Sequence, residues 1–72
     1  MDIRALFAFN LRRLRHASGL SQESLAQAAE INRSYFSRLE TEKTYAGLEL
    51  IEKLALSLKV HPSEFLRPPP KR

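Results

Sequence analysis

Apolar and polar positions along this chain alternate with the spacing of short amphipathic helices. Apolar residues at positions 3, 7, 11 and 14 lie about one helical turn apart, so we expect a first helix from Ile3 to about Ala17. Gly19 can adopt the left-handed conformation that ends such a helix. Apolar residues at positions 48, 51, 54, 55 and 58 repeat the spacing and predict a second amphipathic helix towards the C-terminus.

Two shorter helices between these have matching start signals. Ser21 can cap a helix over Gln22 to Ala29, and Asn32 can cap another over Arg33 to Glu40, because each side chain can accept a hydrogen bond from a free backbone amide. Each cap is flanked by two apolar residues at the positions of a hydrophobic staple: Leu20 and Leu25 for one helix, Ile31 and Phe36 for the other. Only two or three residues join the two helices. Such a short joint predicts a steep crossing, as in a helix-turn-helix.

The end of the chain predicts one more helix and a tail. Pro62 suits the first turn of a short last helix, from which Phe65 and Leu66 can close the core. Residues 67–72 contain three prolines and three basic residues, and we expect them to form an extended, disordered tail. The predicted architecture is therefore all-α, with one five-helix domain over residues 1–66.

Composition narrows the class of protein more than it identifies a partner. A chain of 72 residues is near the lower limit for one hydrophobic core, and without cysteine it has no disulfide or cysteine-bound zinc. The N-terminus resembles no signal peptide and no apolar run reaches the roughly 18–20 residues of a membrane span, so we expect a cytoplasmic protein. The net charge is +4, yet residues 1–66 carry nine basic and eight acidic residues. The placement of charge, rather than its sum, must therefore indicate the partner.

Catalytic and metal sites are not expected. His16 and His61 lack acidic or cysteine neighbours at ligand spacing. The serines lack a histidine and an aspartate in a recognisable order, and so short a chain leaves little room for a substrate cleft. We therefore expect no enzyme activity and no cofactor. Because we expect a single domain, we also expect no small-molecule effector.

The outer face of the third helix carries the most distinctive chemistry. If Phe36 and Leu39 face inward, about 60° apart on a helical wheel, Ser34 and Arg38 point outward. An arginine can bond a guanine edge at two points, a serine hydroxyl can donate or accept, and a tyrosine can contact phosphate or a thymine methyl group. The candidate base-reading residues are Arg33, Ser34, Tyr35, Ser37 and Arg38. The alternative is an ordinary solvated face, although this face contains no acidic residue between Asn32 and Leu39.

Residues 11–66 resemble the Cro/CI-type (XRE) helix-turn-helix family of phage repressors and bacterial regulators. The segments LRRLR, GLSQESLA, SYFSRLE, LELIEKLALSLKV and PSEFL occur in the order and spacing of that family. Within the family, NRSYFSRLE is most similar to the restriction–modification controller proteins. The resemblance implies a lambda-repressor-like fold and a bacterial or phage-type, nucleoid-associated transcriptional regulator that binds double-stranded DNA.

The resemblance also implies roles for individual residues. Family members read base edges at the positions of Arg33, Ser34 and Arg38, and controller-like relatives contact the backbone or thymines at that of Tyr35. Positions that bind phosphate in the family are occupied here by Gln22, Lys43, Thr44 and Tyr45. Arg15 and Glu40 match an internal salt bridge, so Arg15 is not expected to contact DNA.

Three departures from the family pattern concern the segments around the fourth helix. Glu42 and Lys59 occupy positions where the family often has glycine, so a left-handed backbone there would lower stability. Ala46 and Gly47 replace the more usual proline and serine or threonine, which weakens the cap of the fourth helix. These departures affect the loop more than the fold.

Apolar residues outside the main stripes suggest a partner surface. Phe9, Leu50 and Leu56 are surplus to the one-sided helical patterns, and with Phe65 and Leu66 they can form a patch. We expect a homodimer on a palindromic or pseudopalindromic operator, with half-sites roughly 34 Å apart; a monomer is the alternative. The dimer interface candidates are Leu50, Leu56, Phe65 and Leu66. An alternative function is an antitoxin-like or other protein-interaction module that uses the surface of helices 4 and 5, with DNA binding secondary.

Overall fold

Four α-helices and one 3-10 helix form the structure, a computed structural model that describes residues 2–69. The elements are α1 (Ile3–Ala17), α2 (Gln22–Ala28), α3 (Arg33–Glu40), α4 (Leu48–Leu58) and the 3-10 helix (Pro62–Leu66). The predicted bounds are reproduced closely, and the described part contains no strand. It also contains no helix long and apolar enough to cross a bilayer. Residues 70–72 of the predicted disordered tail lie outside the described residues.

The starts of α1, α2 and α3 are capped by side chains, and the start of α4 is not. Asp2 accepts hydrogen bonds from the amides of Arg4 and Ala5 at 2.8 and 3.1 Å. The Ala5 amide is the main cause of a pKa of Asp2 below its ordinary value. Ser21 and Asn32 accept from the amides three residues later, at 3.0 and 3.1 Å. Gly47 provides no side-chain cap for α4, as expected from its residue type.

Each of the four α-helices is followed, one or two positions after its last residue, by a left-handed residue, and only the first of these is glycine. The left-handed residues are Gly19 (φ 72°), Glu30 (φ 59°), Glu42 (φ 65°) and Lys59 (φ 59°). In each case the next amide bonds a carbonyl five residues before it, at 2.8–3.2 Å, which is the hydrogen bond of a Schellman motif. A side chain at this conformation crowds the following carbonyl. Glu30, Glu42 and Lys59 therefore store strain that glycine would avoid.

The core lies where α1 packs on α3 and the 3-10 helix, and where α2 packs on α3 and α4. Its largest fully buried apolar side chains are Phe36, Phe65, Leu11, Leu25, Leu39 and Leu54. The rings of Phe7 and Phe65 stack with their centroids 5.3 Å apart. Phe65 thus closes the core as expected, and its place among the dimer interface candidates is wrong, because its side chain is fully buried within one chain. Leu48 shows the opposite deviation: it is 86 % exposed although it keeps the apolar spacing of α4.

A buried asparagine holds the 3-10 helix against α1. The Asn10 side-chain amide donates to the carbonyls of Phe65 and Arg67 at 3.0 and 2.8 Å. Its oxygen accepts from Arg13 Nε at 3.1 Å, and Arg13 Nη2 pairs with Glu64 Oε1 at 3.2 Å. Because these bonds satisfy a fully buried polar side chain, they fix where the chain leaves the core after Leu66.

Candidate nucleic-acid interface

Helix α3 rests on a narrow apolar face, as its sequence predicts. Phe36 and Leu39 are fully buried between α3 and its neighbours, and Ile31 and Tyr35 pack at the edge of the same core. An eight-residue helix with so few buried side chains has little packing energy of its own, because most helical stability in proteins comes from tertiary contacts. Hydrogen bonds and an ion pair at its C-terminal end also hold α3 in place.

Those bonds converge on the buried side chain of Glu40. Arg15 Nε and Nη2 donate to the two Glu40 carboxylate oxygens at 2.7 and 3.2 Å, so the ion pair implied by the resemblance is present in the structure. Gln22 Nε2 donates to Glu40 Oε1 at 2.8 Å, and Arg12 Nη1 donates to the Glu40 carbonyl. We call these four residues the Glu40 cluster. It joins α1, the start of α2 and the end of α3.

The sequence reasoning missed Arg12 in this cluster. Arg12 and Arg15 are three residues apart in α1, and residues at that spacing lie on the same side of a helix. Once Arg15 is assigned to face α3, the spacing alone therefore places Arg12 beside it. The signal was available, but it becomes informative only after one partner has been located.

Gln22 lies at the first position of α2 and has a partner inside the protein. One of its amide hydrogens is directed to Glu40, while a second hydrogen and the carbonyl oxygen remain for other contacts. The side chain is half-buried. Its orientation is thus fixed by the Glu40 cluster before any ligand is present.

The outer face of α3 is open and mostly unpaired. Arg33, Ser34 and Arg38 are exposed, while Tyr35 and Ser37 are half-buried at its edges. Arg33 Nη1 lies 3.8 Å from Glu23 Oε1, a pair in which both side chains are largely exposed. Water and salt screen such a pair strongly. Arg38 forms no ion pair among the described residues.

The loop between α3 and α4 is tied to this same face. The Tyr35 hydroxyl donates to the Tyr45 carbonyl at 3.0 Å. Thr41 Oγ1 donates to the Ser37 carbonyl at 2.9 Å. Lys43 is exposed, Thr44 is half-buried and Tyr45 is 62 % exposed. The structure therefore brings the predicted loop residues next to the predicted face of α3, where Arg38 and Lys43 form no ion pair with any of residues 2–69.

The remaining predicted residues fall into separate places. Leu56 is 74 % exposed and Leu66 is exposed, while Leu50 packs partly against the core. Leu48, which the sequence reasoning assigned to the apolar stripe of α4, is the most exposed large apolar side chain of the described part. The described residues contain no group of His, Cys, Asp and Glu that is suited to a metal ion.

Comparisons with known proteins agree with this geometry. A family model described as a helix-turn-helix domain matches residues 6–66. The control protein C.BamHI of Bacillus amyloliquefaciens is 36 % identical over 66 residues, which span 90 % of this chain and 82 % of that protein. This chain superposes on the crystal structure of the hypothetical transcription factor NHTF from Neisseria with a TM-score of 0.90 and 40 % sequence identity. The alignment covers 94 % of this chain and 78 % of the NHTF chain.

A controller protein has a similar structure. The restriction–modification controller protein C.AhdI from Aeromonas hydrophila superposes with a TM-score of 0.83 and 40 % identity, covering 86 % of this chain and 94 % of its own. Sequence match, structural match and coverage of both chains agree. The chain therefore belongs to the helix-turn-helix domain family of the XRE (Cro/CI) type, a family of DNA-binding transcription regulators and not of enzymes.

Proposed function

We propose that this protein is a sequence-specific regulator that binds a duplex DNA operator with α3 in the major groove. The observation that carries the proposal is the division of α3 into a buried, tied side and an open side. Phe36, Leu39 and Glu40 are buried, while Arg33, Ser34 and Arg38 are exposed. A helix held this rigidly on one side can present its other side to base edges with little further loss of backbone conformational entropy.

The open side has the chemistry for direct reading of bases. Arg33 and Arg38 can each donate two hydrogen bonds to guanine O6 and N7, and the Ser34 and Ser37 hydroxyls can donate or accept. The Tyr35 hydroxyl already donates to the Tyr45 carbonyl. We therefore assign Tyr35 a contact through its ring, such as packing on a thymine methyl group.

Residues beside α3 would set its register through the sugar-phosphate backbone. Gln22, Lys43, Thr44 and Tyr45 lie at the start of α2 and in the loop, on either side of α3 along the chain. Contacts of this kind position a protein on DNA and supply affinity, while base contacts supply sequence preference. Because Gln22 donates a hydrogen bond to Glu40, its phosphate contact would depend on the position of α3 in the fold.

A homodimer would bind DNA more tightly than a monomer, because its two α3 helices contact two half-sites at once. The exposed apolar side chains of Leu56 and Leu66, with Leu50 at the edge of the core, support an interface through α4 and the 3-10 helix. A two-fold dimer implies half-sites roughly 34 Å apart, or one turn of DNA. The relatives named as controllers of restriction–modification make an operator near the genes of such a system a specific candidate.

Selection of bound sequences from random duplex DNA tests the proposal. We expect a palindromic consensus whose two halves are separated by about one helical turn. Leu56→Glu is the matched variant for the dimer, because it leaves unchanged the candidate base-reading residues of α3, which we call the reading face: Arg33, Ser34, Tyr35, Ser37 and Arg38. It should sediment as a monomer and select only isolated half-sites. If the wild-type protein enriches no sequence but retains one stoichiometric protein partner from a lysate, the interaction-module alternative replaces this proposal.

A further inference from the structure

A chain of arginine–tyrosine contacts runs from α3 across the loop to the start of α1. The Arg38 guanidinium lies 5.6 Å from the centre of the Tyr35 ring. The Tyr35 hydroxyl donates to the Tyr45 carbonyl, and the Arg4 guanidinium lies 4.7 Å from the centre of the Tyr45 ring. Both arginines are within the range of a cation–π interaction. Arg4 is therefore connected to the reading face although it is far from it in sequence.

Arg4 differs from the arginines with structural roles. Arg13 and Arg15 form ion pairs with Glu64 and Glu40, whereas Arg4 forms none among residues 2–69. Its Nε atom is buried and donates to no acceptor in that part of the chain. Asp2 Oδ1 accepts from the backbone amides of Arg4 and Ala5. The pKa of Asp2 is lowered mainly by the Ala5 amide and less by the Arg4 charge, with which it forms no ion pair. Among residues 2–69, the charge of Arg4 thus has no ion-pair partner.

The position of Arg4 is also unfavourable for α1 itself. It lies in the first turn, where the partial positive charge of the helix end favours acidic residues and disfavours cations. Its side chain lines an apolar cleft with Ile3, Phe7, Tyr45 and Leu66. Packing explains the aliphatic part of the side chain but not the charge, since an uncharged side chain of similar length would fill the same space.

We propose that Arg4 binds a DNA phosphate, with the Tyr45 ring as its platform, and so extends the backbone contact from the loop to the start of α1. This rests on the proposed function. Within the described part of the chain, Lys43 and Arg4 are then two cations without an ion pair: Lys43 directly precedes Thr44 and Tyr45, and Arg4 lies over the Tyr45 ring. A guanidinium held over an aromatic ring keeps its edge free for a phosphate oxygen, and phosphate contacts are a favoured use of arginine.

The salt dependence of DNA binding separates a phosphate contact from simple packing. Arg4→Met keeps the length and the apolar stem and removes the charge, and Arg4→Lys keeps the charge. On both the selected operator and random duplex, Arg4→Met should reduce the slope of log K against log salt by about 0.9 per subunit, and weaken binding roughly eightfold at 0.1 M salt. Arg4→Lys should retain most of the slope. The melting temperature of Arg4→Met should equal or exceed that of the wild type, because a cation leaves the helix start.

Lys59→Met is the matched control, because it removes one exposed cation at the other end of α4 from the loop. It should leave the slope unchanged. An unchanged slope for Arg4→Met, or an equal loss for Lys59→Met, would overturn the assignment of Arg4 while wild-type operator binding persisted. Failure of the wild-type protein to select any DNA sequence would instead count against the proposed function.

Discussion

The two ends of α3 are built in opposite ways. At its start, Asn32, Arg33 and Ser34 are exposed. Within the described part of the chain, the only ion pair at this end is the 3.8 Å contact between Arg33 and Glu23. At its end, Glu40 is buried and accepts from Arg15 at 2.7 Å and from Gln22 at 2.8 Å. The same helix is thus open at one end and fixed at the other.

The difference shows that an Arg–Glu pair has no fixed meaning. The side chain of Arg33 is 60 % exposed and that of Arg15 is 11 % exposed. The exposed pair is screened and can exchange Glu23 for a phosphate or a base with little loss. Breaking the buried pair would leave the charge of Arg15 or Glu40 buried with neither water nor an opposite charge beside it. Burial, rather than residue type, therefore separates a candidate DNA contact from a structural tie.

The largest expected effect is the loss of the fixed end. Glu40→Ala should lower the free energy of unfolding by about 3–5 kcal/mol, because it leaves the buried Arg15 guanidinium without its carboxylate. Glu40→Gln, which keeps one acceptor oxygen, should lose less. Chemical denaturation measures both. The control at the open end is Glu23→Gln, for which we expect a change below about 1 kcal/mol. Equal losses for Glu40→Ala and Glu23→Gln would remove the distinction between the two ends.

The second effect concerns binding rather than stability. Arg38→Ala should cost about 1–3 kcal/mol on the selected operator and much less on random duplex, because it removes a base contact. Its unfolding free energy should change by no more than about 0.5 kcal/mol, as at other exposed positions. Fluorescence anisotropy with the two duplexes measures the ratio. Lys43→Ala should weaken both complexes alike. If Arg38→Ala also weakened both alike, Arg38 would be a backbone contact.

The sequence predicted the elements better than the contacts between them. Helix bounds, the caps at Ser21 and Asn32 and the open face of α3 follow from local spacing and residue type, so they were accessible without a structure. The Arg15–Glu40 pair was implied by family resemblance, since its partners are distant in sequence. The chain of contacts from Arg38 to Arg4 was not predicted, because a cation–π contact depends on how the loop folds back onto α1.

Two errors share one physical cause. Phe65, expected both to close the core and to lie in a dimer interface, is buried, whereas Leu48, expected in the apolar stripe, is exposed. Helical periodicity gives the direction of a side chain around its own axis. It does not say how far the neighbouring elements extend along that axis. The buried residues of α4 are Leu54, Ala55 and Leu58, all in its later turns, so its first residue lies beyond the core.

A smaller effect tests the start of α3 itself. Asn32→Ala should lower the unfolding free energy by about 1 kcal/mol, because the Tyr35 amide loses its acceptor. Asn32→Asp keeps an acceptor and should retain the wild-type stability, yet it adds a negative charge beside the reading face. We therefore expect Asp to weaken DNA binding, measured by anisotropy, without a change in melting temperature. Parallel losses of stability and binding in Asn32→Asp would show that the open end also supports the fold.

The smallest effect concerns Glu42, the left-handed residue that follows α3. Glu42 is left-handed with φ 65°, and a side chain there costs about 1–2 kcal/mol of strain, from which the greater entropy of an unfolded glycine subtracts about 0.5–1 kcal/mol. Glu42→Gly should therefore raise the unfolding free energy by about 0.5–1 kcal/mol in chemical denaturation. Lys59→Gly has the same backbone conformation and the opposite charge, so an equal gain would assign the effect to the backbone. A gain confined to Glu42→Gly would instead assign the change in unfolding free energy to the charge of Glu42 near the loop. Removing this acidic side chain should also favour the binding of DNA there.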